Sequence, residues 1–162
     1  PCERGEIPAR VTHNDTKFNN VLLDQHTGRG ICVVDLDTVM HGIGLCDFGD
    51  LIRGTVSGLP EDTSDLDAVD VKMPTFRALA EGYLDAMRGE LTDAEKALLP
   101  AAAPTLTYEL LVRFLTDYLQ GDIYFPTEHN DHNLTRARAQ AALLSAMERR
   151  AADMQRVIDT LL

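Results

Sequence analysis

The chain has 162 residues, 44% hydrophobic and 25% charged, with a net charge of −11 at pH 7 and a pI near 4.7. That length and composition suit one soluble globular domain, residues 1–162, with a core of its own. The acidity argues against nucleic acid as a partner, since duplexes bind a basic face, and no run of about 18 apolar residues is present to span a membrane.

Residues 1–9 carry charges and no apolar centre, so no secretory leader is expected. Cys2, Cys32 and Cys46 are odd in number and fit neither a zinc spacing nor a disulfide framework. A reducing, cytoplasmic setting follows as the expectation. Cys32 lies in an apolar run and reads as a small buried hydrophobe.

Residues 21–23 and 31–34 are short β-rich runs around a polar segment with two glycines, which is a hairpin signature. Residues 47–56 read as a helix, with Leu51, Ile52 and Val56 on one side. Residues 57–70, acidic and holding Gly58 and Pro60, are expected as a flexible loop. Pro74 suits the first turn of a helix whose apolar face is Phe76, Leu79, Ala80, Tyr83, Leu84 and Met87. Thr92 to Glu95 is a capping box opening another short helix. Pro100 and Pro104 interrupt the apolar stretch 97–106, so residues 106–119 are predicted as a separate helix ended by Gly121. Residues 133–162 form a long amphipathic pattern rich in Ala, Arg and Leu. A hairpin followed by helices predicts an α+β fold, mostly helical.

The chemistry concentrates early. His13, Asp15 and Asn20 read H-x-D-x-x-x-x-N, and Asp35 closes the second β run. Phosphoryl transfer needs a carboxylate beside the attacking hydroxyl and hard oxygen ligands for magnesium at a nucleotide's phosphates. Asp15 is the candidate base, and Lys17 is placed to steady a transferring phosphate as a point charge. An antiparallel hairpin returns the end of its second strand to the start of its first, so Asn20 and Asp35 can share an ion. Asp37 joins them on the period-two rule if the strand continues. The competing reading of residues 14–20 is an ordinary polar turn, with Lys17 a solvated lysine.

Other matches are weaker. Asp47-Phe48-Gly49 spells a kinase metal triplet but follows a glycine-rich turn, so Asp47 reads as a helix N-cap or a buried orienter of the catalytic loop. Gly42, Gly44 and Gly49 have the wrong spacing for a dinucleotide fingerprint. Glu128, His129, Asp131 and His132 fit a polar loop opening the last helix better than a zinc site. Residues 33–39 also fit the strand end of a haloacid-dehalogenase-type phosphatase, with Asp35 as nucleophile and Asp37 as acid/base. That fold needs repeated β-α units, which the helical remainder does not offer.

Residues 11–22, with 34–38 and Asp47-Phe48-Gly49-Asp50, resemble the aminoglycoside phosphotransferase/choline kinase-like family. Residues 113–125 and 133–140 narrow the resemblance to N-acetylhexosamine 1-kinases, over nearly the whole chain. The resemblance implies the C-terminal lobe of a protein-kinase-like fold, with a short β-hairpin carrying the catalytic and metal residues. It implies ATP as co-substrate, Mg2+, and a small-molecule sugar or amino-alcohol acceptor. By position, Asp15 would be the base and Asn20 and Asp35 the magnesium ligands. Arg113 and Tyr124 would hold the sugar with Asp117 among the substrate residues, and His13 and Asp47 would support the loop. From the residues alone, Arg113 is a cation in an apolar helix that wants an anionic or hydroxyl-rich partner, and Tyr124 follows a turn from which it can pack on a sugar. An internal salt bridge and a core aromatic are the alternatives. Such kinases begin with a small β-rich nucleotide lobe, which has no counterpart before His13. The chain is therefore expected to partner that absent N-terminal lobe, and to catalyse weakly or not at all alone. Aminoglycosides, choline and homoserine are the other acceptors the family suggests, and a non-catalytic kinase-like module is the remaining alternative.

Overall fold

The computed structural model describes residues 5–162, so Cys2 lies outside the described residues. Two short antiparallel pairs precede four helices. Strand β1 (Arg10–Thr12) pairs with β4 (Met40–Gly42), Val11 opposite His41. Strand β2 (Val21–Leu23) pairs with β3 (Gly30–Val33), Val21 opposite Val33. The intervening turn is organised by Asp24, whose Oδ1 accepts from the backbone of His26 and Thr27 and from the Thr27 hydroxyl. The hairpin is where the sequence puts it. The β1–β4 pair has no sequence signal, since three-residue strands carry no readable alternation. Both sheets are two-stranded and antiparallel. Among the described residues there is thus no parallel β-α repeat of the kind a haloacid-dehalogenase-type phosphatase needs.

The helices are α1 (Gly44–Thr55), α2 (Met73–Met87), α3 (Asp93–Gln120) and α4 (His132–Leu161). The first begins three residues before its expected start, so Asp47 lies inside its first turn and is not the N-cap. The expected pair of helices around the prolines is one continuous helix, α3. Pro100 and Pro104 each remove a backbone donor. What outweighs that loss is a reciprocal Thr92/Glu95 capping box at one end and a buried face of Leu99, Ala103 and Thr107 across the prolines. Gly49 lets α1 approach this stretch, because a Cβ there would sit 2.7 Å from the Ala102 carbonyl oxygen. Gly121 ends α3 at φ +94, as its position predicts.

The core gathers Phe48 and Ile52 of α1 with Val56 at its C-cap, Phe76, Ala80 and Leu84 of α2, Leu99 and Ala103 of α3, and Leu143, Ala146, Met147 and Ile158 of α4. These recur at three- and four-residue spacings, each large side chain contributing about 1.5–3 kcal/mol on burial. Segment 57–70, expected to be loose, is tied down by the acids that suggested looseness. Glu61 meets Arg53, Asp62 meets His132 and Asp70 meets Arg150, while Val69 and Val71 are buried.

Cys32 is exposed, contrary to expectation. All four residues of β3 are exposed, and Val11, Ile31 and Met40 are 73%, 66% and 57% exposed. The hairpin lies on the surface with its apolar side chains uncovered, so an apolar run here does not mean burial.

Candidate active site

Helix α1 presents Asp47, Asp50 and Arg53 at three-residue intervals, and this row holds the loop 13–16. The Asp47 carboxylate accepts from the backbone N–H of His13 at 2.9 Å and of Asn14 at 2.8 Å. Asp50 accepts from the Thr16 N–H at 2.7 Å. Arg53 in turn donates to Asp50 through Nε at 3.0 Å and Nη2 at 2.8 Å. Desolvation works against the Arg53 charge, but Asp50 and Glu61 more than offset it and raise its pKa. Asp50 stands in the Asp47–Asp50 stretch that carries the resemblance, but its hold on Thr16, and the role of Arg53, have no sequence signal beyond the i, i+3 spacing from Asp47.

The loop is tied to the strands as well. The Thr38 hydroxyl donates to the His13 carbonyl at 2.6 Å, and Asn14 Nδ2 donates to the Thr38 carbonyl at 3.0 Å. His13 Nε2 lies 3.3 Å from the Val34 carbonyl at the end of the hairpin. Asn14 adopts φ +63, a left-handed conformation that asparagine tolerates.

These anchors bring the polar tips together. Asp15 Oδ2 accepts from Asn20 Nδ2 at 2.8 Å and pairs with Lys17 Nζ at 3.0 Å. Asn20 is buried, and its Nδ2 also donates to the Asp15 carbonyl. With Nδ2 turned to Asp15, Oδ1 is the atom Asn20 can offer an ion. The Val34 N–H donates to the Asn20 carbonyl at 2.9 Å, closing the hairpin one residue before Asp35.

Asp35 does not continue the strand. It sits at φ +62, and a single 3-10 turn, Leu36–Thr38, follows. The period-two route for Asp37 is therefore incorrect; the turn brings Asp37 to Asp35 instead. A side-chain hydrogen bond with Asp37 and that neighbour's charge hold the Asp35 carboxyl above the ordinary range. Desolvation and Asp15 add to the rise, and Lys17 opposes it. Paired carboxylates of this kind are hard oxygen donors. Among the described residues no three His, Cys, Asp or Glu side chains group as a metal site.

Arg113 and Tyr124 are elsewhere in character. Arg113 is exposed, not buried in an apolar helix; it meets Glu109 at 3.6 Å, and its guanidinium lies 5.8 Å from the Tyr124 ring and 5.3 Å from the Phe125 ring. Tyr124 is 71% exposed, so it is no core aromatic. Asp117 is buried, and its oxygens accept from the N–H groups of Ile123, Tyr124 and Phe125 and from Asn133 Nδ2. Burial alone would raise its carboxyl, but the three backbone donors hold it below the ordinary range. Asp117 thus builds the turn that presents Tyr124. In the last loop, His132 accepts from the Glu128 N–H at Nδ1, places Nε2 3.1 Å from Asp62, and stacks on His129, which leaves it no nitrogen for zinc.

Residues 3–71, the span that carries every member of the loop-and-hairpin site, match the model of the phosphotransferase enzyme family, which supports kinship with the aminoglycoside phosphotransferases and a phosphotransferase-type activity.

Proposed function

We propose that this chain is the catalytic and substrate-binding lobe of an ATP-dependent small-molecule kinase that phosphorylates a sugar hydroxyl, of the N-acetylhexosamine 1-kinase type. The observation that carries the reading is the meeting of Asp15, Lys17 and Asn20 at the base of the hairpin whose far strand is followed by the turn bearing Asp35 and Asp37.

In this reading Asn20, Asp35 and Asp37 would hold magnesium. The ion, when bound, neutralises the charge of the nucleotide's phosphates. Asn20 and Lys17 anchor Asp15 Oδ2, so Oδ1 receives the proton of the acceptor hydroxyl. Lys17, next to the base, supplies positive charge where the transferring phosphoryl group passes. Asp47 and Asp50 fix the loop backbone, so Asp15 is oriented before substrate arrives. Arg113 and Tyr124 bind the sugar, and Asp117 sets the turn between them.

The same reading places a nucleotide lobe of the same protein over the strands. What supports it is the exposure of the apolar side chains Val11, Leu22, Ile31, Val33 and Met40 on the two strand pairs, more uncovered apolar area than isolated strands usually carry. The chain alone is then weakly active or inactive. Two measurements test the proposal. Phosphoryl transfer from ATP–magnesium is assayed against hexosamines, aminoglycosides, choline and homoserine, with the chain alone and joined to its nucleotide lobe. Transfer to a hexosamine by the joined protein is expected, and transfer to none of the panel contradicts the kinase. In isothermal titration, micromolar binding of ATP–magnesium by the chain alone contradicts the lobe assignment.

A further inference from the structure

Asn14 stands between the helix that anchors the loop and the turn that carries the paired carboxylates. Its N–H donates to Asp47 Oδ1 at 2.8 Å. Its side chain reaches the other way, where Nδ2 donates to the Thr38 carbonyl at 3.0 Å. Thr38 answers with its hydroxyl, which donates to the His13 carbonyl at 2.6 Å. Residues 13–14 and Thr38 are thus joined in both directions. Asp15 directly follows Asn14, and Asp37 directly precedes Thr38.

The surroundings set the direction of the Asn14 amide. Thr12 is buried, and its hydroxyl donates to Asn14 Oδ1 at 3.0 Å, sharing the proton with the Met40 carbonyl at 3.1 Å. That contact holds Oδ1 toward β1 and leaves Nδ2 for Thr38. Gly42 of β4 keeps the space open: a Cβ there would overlap the Thr12 hydroxyl and stand 3.3 Å from Asn14 Oδ1. The backbone is constrained as well. Asn14 and Asp35, one on each side of the junction, are non-glycine residues at φ +63 and +62. Such conformations persist where neighbours hold them, and they cluster at functional sites.

A catalysed transfer is sensitive to placement, and a displacement of about 1 Å can lower its rate about 10²-fold. We propose that Asn14 and Thr38 are positioning residues, a clamp that sets the Asp15 loop against the Asp35–Asp37 turn. Their side chains are engaged with backbone carbonyls, so they act through Asp15 and not on the substrate. That role rests on the kinase reading, in which Asp15 and the carboxylates of the turn serve one transfer.

Two variants test the clamp: Asn14→Gly, which accepts the left-handed backbone and removes the amide, and Thr38→Val, which removes the hydroxyl. Backbone 15N relaxation is measured first, on the full chain without nucleotide. Asn14→Gly should loosen Leu36 and Asp37, and Thr38→Val should loosen Asp15, each across the junction from the change. Order parameters there should fall from near 0.85, the rigid range, toward about 0.6. Single-turnover transfer by the protein joined to its nucleotide lobe comes second. Each variant should slow it about 10–100-fold with the acceptor KM unchanged, and Thr38→Ser should restore most of the rate. The double variant should be no slower than the worse single one, and neither change should slow Asp15→Asn further. Unchanged order parameters overturn the clamp. Full slowing in the Asp15→Asn background, or an effect on the acceptor KM alone, overturns the positioning role. A joined wild type that transfers to no acceptor overturns the kinase reading instead, and the relaxation result then decides the clamp by itself.

Discussion

Replacing Arg10 by methionine tests how β1, and with it the loop 13–16, is held to the helices. The Glu95 side chain is fully buried. Its Oε1 accepts from Arg10 Nε at 2.9 Å, and its Oε2 accepts from Arg10 Nη2 at 2.8 Å and from the Thr92 N–H at 2.8 Å. Arg10 also reaches the Glu90 carbonyl. Arg10→Met leaves a buried carboxylate with only its capping partners. Breaking an enclosed pair in this way costs ~3–5 kcal/mol. The Arg10 side chain is 19% exposed, so water softens the loss and ~2–3 kcal/mol is expected. In a domain of this size that lowers the melting temperature by about 4–12 °C. Acid should reverse the defect. The hydrogen bond from Arg10 holds the Glu95 carboxyl below its ordinary range despite burial. In the wild type the stabilisation is therefore present above about pH 4.3 and fades as pH falls through the lower folded value. In Arg10→Met the buried charge is unfavourable, so protonation helps, and Arg10→Met with Glu95→Gln should recover about 1–2 kcal/mol. Urea denaturation at pH 7 and pH 4 measures all of this. A loss under about 1 kcal/mol at pH 7, or no recovery in the double variant, refutes the reasoning.

Other substitutions probe the site and its support. Asp47→Ala frees two backbone N–H groups and should lower turnover of the joined protein by about 10²-fold while the helices still melt cooperatively; circular dichroism and a transfer assay check it, and unchanged turnover removes Asp47 as the loop's anchor. Asp35→Asn relieves repulsion from Asp37. Because the folded pKa of Asp35 is raised, its penalty is absent below about pH 3.9 and appears as pH rises through the folded value. Without divalent ions at pH 7 this variant should melt at or above the wild-type temperature, and a lower one contradicts the carboxylate pair. Gly49→Ala drives a methyl into the Ala102 carbonyl and should cost about 1–3 kcal/mol in urea denaturation.

The hairpin and the nearness of Asn20 to Asp15 were legible because their information is local. Asp15 and Asn20 are five residues apart, and hairpin closure needs only two short β runs around a polar turn. The capping box at Thr92 and the helix end at Gly121 were legible for the same reason, since each rests on a few adjacent residues. What escaped depends on partners far along the chain. The continuity of α3 through Pro100 and Pro104 comes from packing against α1 and α4, which overrides a local propensity. The pairing of β1 with β4 joins residues about thirty apart with no alternation to announce it. Cys32 and Arg113 were misjudged as buried because apolar neighbours in sequence do not say which face of the molecule is covered. For Asp117, which the resemblance places among the substrate residues, only its neighbours in space reveal that its carboxylate accepts from the turn that follows it.

The central claim is that Asp15 takes a proton from a hydroxyl during phosphoryl transfer. Its most direct test is the single-turnover rate of ATP-dependent transfer by the protein carrying its nucleotide lobe, wild type against Asp15→Asn, with binding of the acceptor measured in parallel. The account predicts a fall of roughly 10²–10⁴-fold with acceptor affinity retained. A rate near the wild type's would contradict it.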